Sequence, residues 1–229
     1  MDVAFQMATD SRDVKVHGDL DLDGDHLKSR IRELCGLFVF VNDSRVYLIH
    51  QTAKEILVAK DSSPKSSTGL WKHSLDSQRS NTIMTEVCVQ YLRFRDIEDG
   101  LVSSSRRQAD IEKADPDTSA SPLLNYSAIH WAAHLRSARP SSESLLERVL
   151  HLYDMQDAPF QNWISIFWKT FYRYEARSDV NSVHLTALNG HNGVIRNLLD
   201  ADTGALNVQD CRGQTPLILG CREGSQRDC

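Results

Sequence analysis

The chain has 229 residues, is 41% hydrophobic and 25% charged, and carries a net charge of -5. This is ordinary globular composition, long enough for one large or two small cores, and it argues against a general nucleic-acid-binding surface. The longest apolar run, about seven residues around Cys35–Val41, falls far short of the ~20 that span a bilayer, so no membrane segment is expected.

The N-terminus, Met1-Asp2-Val3-Ala4-Phe5, has neither the basic region nor the long apolar core of a signal peptide. Cys35, Cys88, Cys211, Cys221 and Cys229 are odd in number and never form a C-x-x-C pair. Scattered, unpaired cysteines are the pattern of reduced thiols, which implies an intracellular, cytoplasmic setting. Two polar, proline-containing stretches, Asp61–Gly69 and Gly100–Ser121, lack apolar periodicity and read as loops. They divide the chain into a unit at 1–60, a helical region at 70–175 and a third segment at 179–229.

In the first unit, Leu27, Ile31, Leu34 and Cys35 share one helical face, and Gly36 is expected to end that helix in a left-handed conformation. Leu37–Val41 and Arg45–Ile49 flank Asn42-Asp43-Ser44, which predicts a β-hairpin. Thr52 to Glu55 has capping-box spacing ahead of Ile56 and Leu57. Helix, hairpin, helix is the winged portion of a winged-helix unit, without some of its usual helices.

The second region carries four helical stripes. The first is Ile83, Val87, Cys88, Tyr91 and Leu92. Ser121-Pro122 is expected to cap the second, which holds Leu124, Ala128, Trp131 and Leu135. Leu145, Leu146, Val149, Leu152 and Tyr153 form the third, and Phe160, Ile164, Phe167, Phe171 and Tyr174 the fourth. Aromatics at this spacing are core residues far more often than a ligand box.

The third segment repeats. His184–His191 aligns with Ile218–Ser225 at an offset of 34 residues, with one inserted residue near Asp202. Gly213-Gln214-Thr215-Pro216-Leu217 carries a helix-start pattern: the Thr215 hydroxyl caps and Pro216 presets φ at the first helical position. Gly190, followed by His191, and Gly224 sit where the first helix of each copy is expected to stop in a left-handed turn. Val194, Ile195, Leu198 and Leu199 supply the apolar face of a second helix. Gly204–Asn207 with Asp210 fit the hairpin that links one copy to the next.

These residues resemble the ankyrin repeat, whose length is about 33 residues and whose first helix opens on G-x-T-P-L-H-x-A-A. Three positions depart from that pattern: Ile218 stands for His, Gly220 for Ala, and Asn181-Ser182 for Thr-Pro. Upstream, Leu34-Cys35-Gly36, Val46–Lys54, Trp71 with Ser74-Leu75, Cys88–Leu92 and Leu123–His134 resemble the segment that follows the NTPase core in fungal NACHT–ankyrin proteins, which are NLR-like signalling ATPases. The resemblance covers most of residues 1–200. It implies a winged-helix connector between a nucleotide switch and a ligand-sensing repeat array, without implying that this chain holds the switch.

Other motifs fail on chemistry. No glycine precedes a lysine, so the phosphate loop G-x-x-x-x-G-K-[S/T] is missing and nucleotide is not expected to bind. Asp19 to Asp25 opens like a calcium loop, but its twelfth position is Arg30, whose cation repels Ca²⁺ where a bidentate Glu belongs. His130 and His134 have zinc-ligand spacing, yet Trp131 stands where a zinc protease needs Glu, and a helix-surface role is favoured. His50, next to Gln51 and Thr52, suits a polar cap better than catalysis. No catalytic, metal or cofactor residue is assigned. The expected fold is mainly α: a partial winged-helix unit with a hairpin, a helical connector, and about one and a half ankyrin repeats. The expected function is non-enzymatic protein–protein interaction through the repeat surface. The alternative is a winged-helix nucleic-acid binder using Lys28, Arg30 and Arg32, which Glu33 and the acidic loop before the helix oppose.

Overall fold

The computed structural model describes residues 7–8, 15–16, 19, 24–36, 38–42, 45–58, 74–94, 97, 123–138, 143–172 and 179–227. The chain is mainly helical, with one small two-stranded antiparallel sheet. The loops expected at 61–69 and 100–121, and most of the acidic stretch from Asp19 to Asp25, lie outside the described residues.

Helix α1 (Gly24–Cys35) leads into β1 (Val39–Asn42), β2 (Arg45–Leu48) and α2 (Gln51–Leu57). The strands pair Val39 with Leu48 and Phe40 with Tyr47, whose rings stack at 5.2 Å on the exposed side of the hairpin. Alternation in short strands puts every second side chain on each face, which is why this aromatic pair meets. Three expectations are corrected here. Of the α1 stripe, Ile31 is buried, but Leu34 and Cys35 are exposed. Gly36 does not adopt a positive φ; it is needed because a Cβ there would lie 2.5 Å from the Arg32 carbonyl oxygen. Thr52 does not cap α2, which starts two residues earlier: His50 is the N-cap, and its Nδ1 accepts from the Thr52 N–H at 3.2 Å.

The middle of the molecule is built from α3 (Ser77–Leu92), α4 (Leu124–Ser137), α5 (Glu143–Tyr153) and α6 (Ala158–Phe171). Asp76 caps α3, accepting from the Gln78 and Arg79 N–H groups at 2.8 and 3.3 Å. The residue before α4 is Leu123, which makes no side-chain cap bond; Ser121-Pro122 lie outside the described residues. The four stripes face one core. Val87, Cys88, Tyr91, Leu92, Ala128, Leu145, Val149 and Ile164 are all buried, while Ile83 and Phe171 at the ends of their stripes are exposed and Tyr174 is outside the described residues.

Trp131 is fully buried, with the Tyr153 and Trp163 rings edge-on at 5.4 and 5.2 Å. Edge-to-face pairs of this kind add roughly 0.5–1.5 kcal/mol each beyond the burial itself. Two polar side chains tie the helices together inside that core: Trp163 Nε1 donates to the Leu152 carbonyl at 2.7 Å, and Asn162 Nδ2 to the Leu92 carbonyl at 3.0 Å. Both satisfy carbonyls at helix C-termini that would otherwise be orphaned. No helix among the described residues is long and apolar enough to cross a membrane.

The last segment holds α7 (Ser182–Asn189), α8 (Asn192–Ala201), a short 3-10 turn at Thr203–Asn207, and α9 (Pro216–Arg227). The 3-10 turn replaces the hairpin expected at Gly204–Asn207. Asp202 Oδ1 accepts from the Gly204 N–H at 2.9 Å, which winds the chain there instead of extending it.

Candidate interaction surface

Helix α7 begins with a reciprocal cap. Asn181 Oδ1 accepts from the His184 N–H at 3.0 Å, and the His184 ring reaches back to the Asn181 N–H. Across the ring, Nε2 lies 3.1 Å from the Gln214 carbonyl oxygen. A carbonyl only accepts, so Nε2 donates to it, while Nδ1 lies 2.8 Å from Asn181 Oδ1 and 3.4 Å from the Asn181 nitrogen. One buried imidazole thus links the start of α7 to the turn that precedes α9.

Helix α7 ends at Gly190, whose φ of 71° is the left-handed region expected for it. The Gly190 N–H donates to the Ala187 carbonyl and the His191 N–H to the Thr186 carbonyl, both at 3.0 Å, the paired bonds of a Schellman stop. His191 then turns inward and is 4% exposed. Its Nε2 lies 2.8 Å from the Ala132 carbonyl of α4, and its Nδ1 2.7 Å from the Tyr153 hydroxyl of α5. Nε2 must donate to the carbonyl, so Nδ1 accepts the Tyr153 O–H, while Asn189 Nδ2 donates to the same phenol oxygen at 3.0 Å. Burial holds the Tyr153 phenol neutral, its pKa raised well above the usual tyrosine range. Ser182 Oγ also donates to the Tyr153 carbonyl at 2.5 Å. This neutral network joins α7 and α8 to the helical region before them.

The turn before α9 is built on Asp210. Its Oδ1 accepts from the Arg212 and Gln214 N–H groups at 2.9 and 2.8 Å, its N–H donates to the Gln214 carbonyl at 3.0 Å, and its carbonyl accepts from Gly213 at 2.9 Å. Gly213 takes φ 71°, as only glycine does cheaply. Pro216 is the first residue of α9, and Thr215 Oγ1 stands 3.5 Å from the Ile218 N–H, at the outer limit of a cap bond. Gly224 does not terminate this helix, which runs through it to Arg227. Glycine permits a left-handed stop but does not impose one; at Gly190 a following helix holds the stop in place, and after Gly224 none is present among the described residues.

Helix α9 lies against α7 closely enough that a Cβ at Gly220 would approach the Ala187 carbonyl oxygen to 3.1 Å. Leu219 points into that contact and is buried. Leu217 and Ile218 point away and are 74% and 50% exposed. On α8, Val194 is buried and Ile195, Leu198 and Leu199 are half-buried. Leu206 and Val208, between α8 and α9, are also exposed.

The structure therefore brings Gly190, His191, Leu198 and Leu199 into the helix pair, and Gly213, Thr215 and Pro216 into the turn and start of α9. It leaves Leu217 on the surface and Gly224 inside a helix. Sequence reasoning did not find Tyr153 and Ala132 as partners of His191, because they lie 38 and 59 residues from it and no local pattern connects them. Elsewhere, His134 on α4 bonds Tyr126 and Asn81 through its two nitrogens, each at 2.8 Å, and burial, with His130 nearby, lowers its pKa. No cluster of three or more metal-ligating side chains occurs among the described residues. No protein-family model, curated protein or solved structure matches the chain.

Proposed function

We propose that the chain is a non-enzymatic protein-interaction module in which α7–α8 form one ankyrin-type repeat and α9 opens the next. The helical region is the platform on which they stack, and residues 24–58 are a partial winged-helix unit of an NLR-like protein. The observation that carries the reading is the His184 bridge to the Gln214 carbonyl across the interval of one repeat. Supporting it, both copies present a turn followed by a helix, Asn181–Asn189 and Gly213–Arg227, in the same 34-residue register. Solenoids gain their stability from each repeat covering the one before, and their concave surface binds proteins.

In this reading, the apolar face of α9 receives the next repeat, and the polar turns at Cys211–Gly213 line the partner-facing edge. The test is to fuse two consensus ankyrin repeats and a polar cap after residue 229, in the 34-residue register, and to compare it with the same fusion shifted by two residues. In-register fusion is expected to raise the melting temperature of the preceding helices and the shifted one to leave it unchanged. Equal effects from both fusions would remove the repeat reading.

A further inference from the structure

A pocket of about 240 Å³ opens where α4, α5 and the start of α8 meet. Its floor is apolar, made by Leu135, Leu145, Leu146, Val149 and Val194, and Arg136 stands at its mouth. The volume is below the roughly 300 Å³ at which small-molecule and cofactor sites begin, so it suits one side chain of a peptide rather than a whole metabolite. The charge at the rim is one-sided. Arg136 is exposed and forms no ion pair among the described residues. The His191 ring, which would otherwise cap α8, is committed inward to Ala132 and Tyr153, so α8 starts with no side-chain cap bond. Its first N–H groups, at Asn192 and Gly193, therefore border the same opening with the positive end of the helix. Gly193 has no neighbour within 4 Å of where a Cβ would stand, so the chain's own packing does not require glycine there, and the rim is open to an approaching backbone.

We infer that this pocket is a docking site for an acidic linear peptide: one large aliphatic side chain enters the floor, and the carboxylate beside it meets Arg136 and the first turn of α8. The occupant follows from charge complementarity. A basic or neutral peptide would leave the guanidinium and the helix end without a counter-charge, whereas a carboxylate next to the buried side chain engages both. No residue of α9 lines the site, and it stands whether or not further repeats stack on that helix.

The test uses the full chain and fluorescein-labelled hexapeptides of sequence Ser-Gly-Leu-Asp-Gly-Ser, with Leu-Lys and Ala-Asp versions as controls. Fluorescence anisotropy is expected to give a Kd on the order of 100 μM for the Leu-Asp peptide, the strength of a single-pocket contact, and at least tenfold weaker binding for both controls. Arg136→Glu should abolish binding and Arg136→Lys keep most of it; the residue is exposed, so neither should unfold the chain. Methyl NMR should show shifts confined to Leu135, Leu145, Leu146, Val149 and Val194. No binding up to 2 mM, equal binding of the Leu-Lys peptide, indifference to Arg136→Glu, or methyl shifts elsewhere would each overturn the proposal.

Discussion

Val183 and His184 on α7 occupy the same places in the 34-residue pattern as Leu217 and Ile218 on α9, and their environments are opposite. The first pair is 5% and 0% exposed, the second 74% and 50%. The more hydrophobic pair is the one in water. What differs is the neighbour: α9 covers α7, and among the described residues nothing covers the equivalent face of α9. Burial in a stacked architecture belongs to the contact between units, not to the unit itself. The covered side also carries the hydrogen-bond network around His191, while Leu217 and Ile218 on the uncovered side are apolar.

The contrast can be broken most forcefully at its covered end. Trp131→Ala removes the ring that touches Tyr153, Trp163 and His191, and is expected to cost ~3–5 kcal/mol in urea denaturation. Trp131→Phe should cost much less than that, since Trp131 Nε1 has no hydrogen-bond partner and its removal sheds an unsatisfied buried donor. Next in size, His191→Ala removes the bond to the Ala132 carbonyl and leaves the Tyr153 hydroxyl proton without its acceptor, for roughly 2–3 kcal/mol. A double-mutant cycle with Tyr153→Phe should return a coupling of about 1 kcal/mol or more; additivity within ~0.3 kcal/mol would mean that the network does not hold the joint.

A chemical probe sharpens the same comparison. Burial in the core, against a smaller opposing effect of the Ser127 hydroxyl, pushes the Cys88 thiol from 9.0 up to about 11. The unfolded chain therefore loses this proton at a lower pH than the folded chain. The contribution is fully present below pH 9.0 and is lost as pH rises to about 11, on the order of 2 kcal/mol. Cys88→Ala should flatten that part of the alkaline stability profile. In the native protein, a thiol reagent at pH 8 should label exposed Cys211 and Cys221 in seconds and Cys88 only as the chain opens. The smallest expected effect is at the uncovered end: Leu217→Ala should change stability by less than ~0.5 kcal/mol, against ~2–5 kcal/mol for Leu185→Ala on α7.

The helical stripes were legible because 3.6-residue periodicity is local: Val87 to Leu92, Leu124 to Leu135 and Phe160 to Phe167 read directly off the spacing and all reach the core. Gly190 was legible because a left-handed turn leaves glycine little competition. Caps were less so. Moving the α2 cap from Thr52 to His50 depends on a ring nitrogen replacing a hydroxyl, and the two are close alternatives in sequence. The joint at His191 was invisible for a different reason. Its partners come from α4 and α5, and only the assembled helices bring a carbonyl and a phenol to one imidazole, with the Asn189 amide of α7 on that phenol. Gly224 misled because a glycine is an option for the backbone that its neighbours decide whether to use.

The most direct measurement of the central contrast is residue-resolved hydrogen exchange on the full chain. Protection should be high in Leu124–Leu135, remain substantial in Val183–Leu188, and fall by at least a hundredfold in Gln214–Cys221, whose outer face is uncovered. Fusing in-register repeats after residue 229 should raise protection in Gln214–Cys221 and leave Leu124–Leu135 unchanged. If Gln214–Cys221 is already as protected as Leu124–Leu135 in the unfused monomer, then α9 needs no neighbour, and the account of it as a receiving face is wrong.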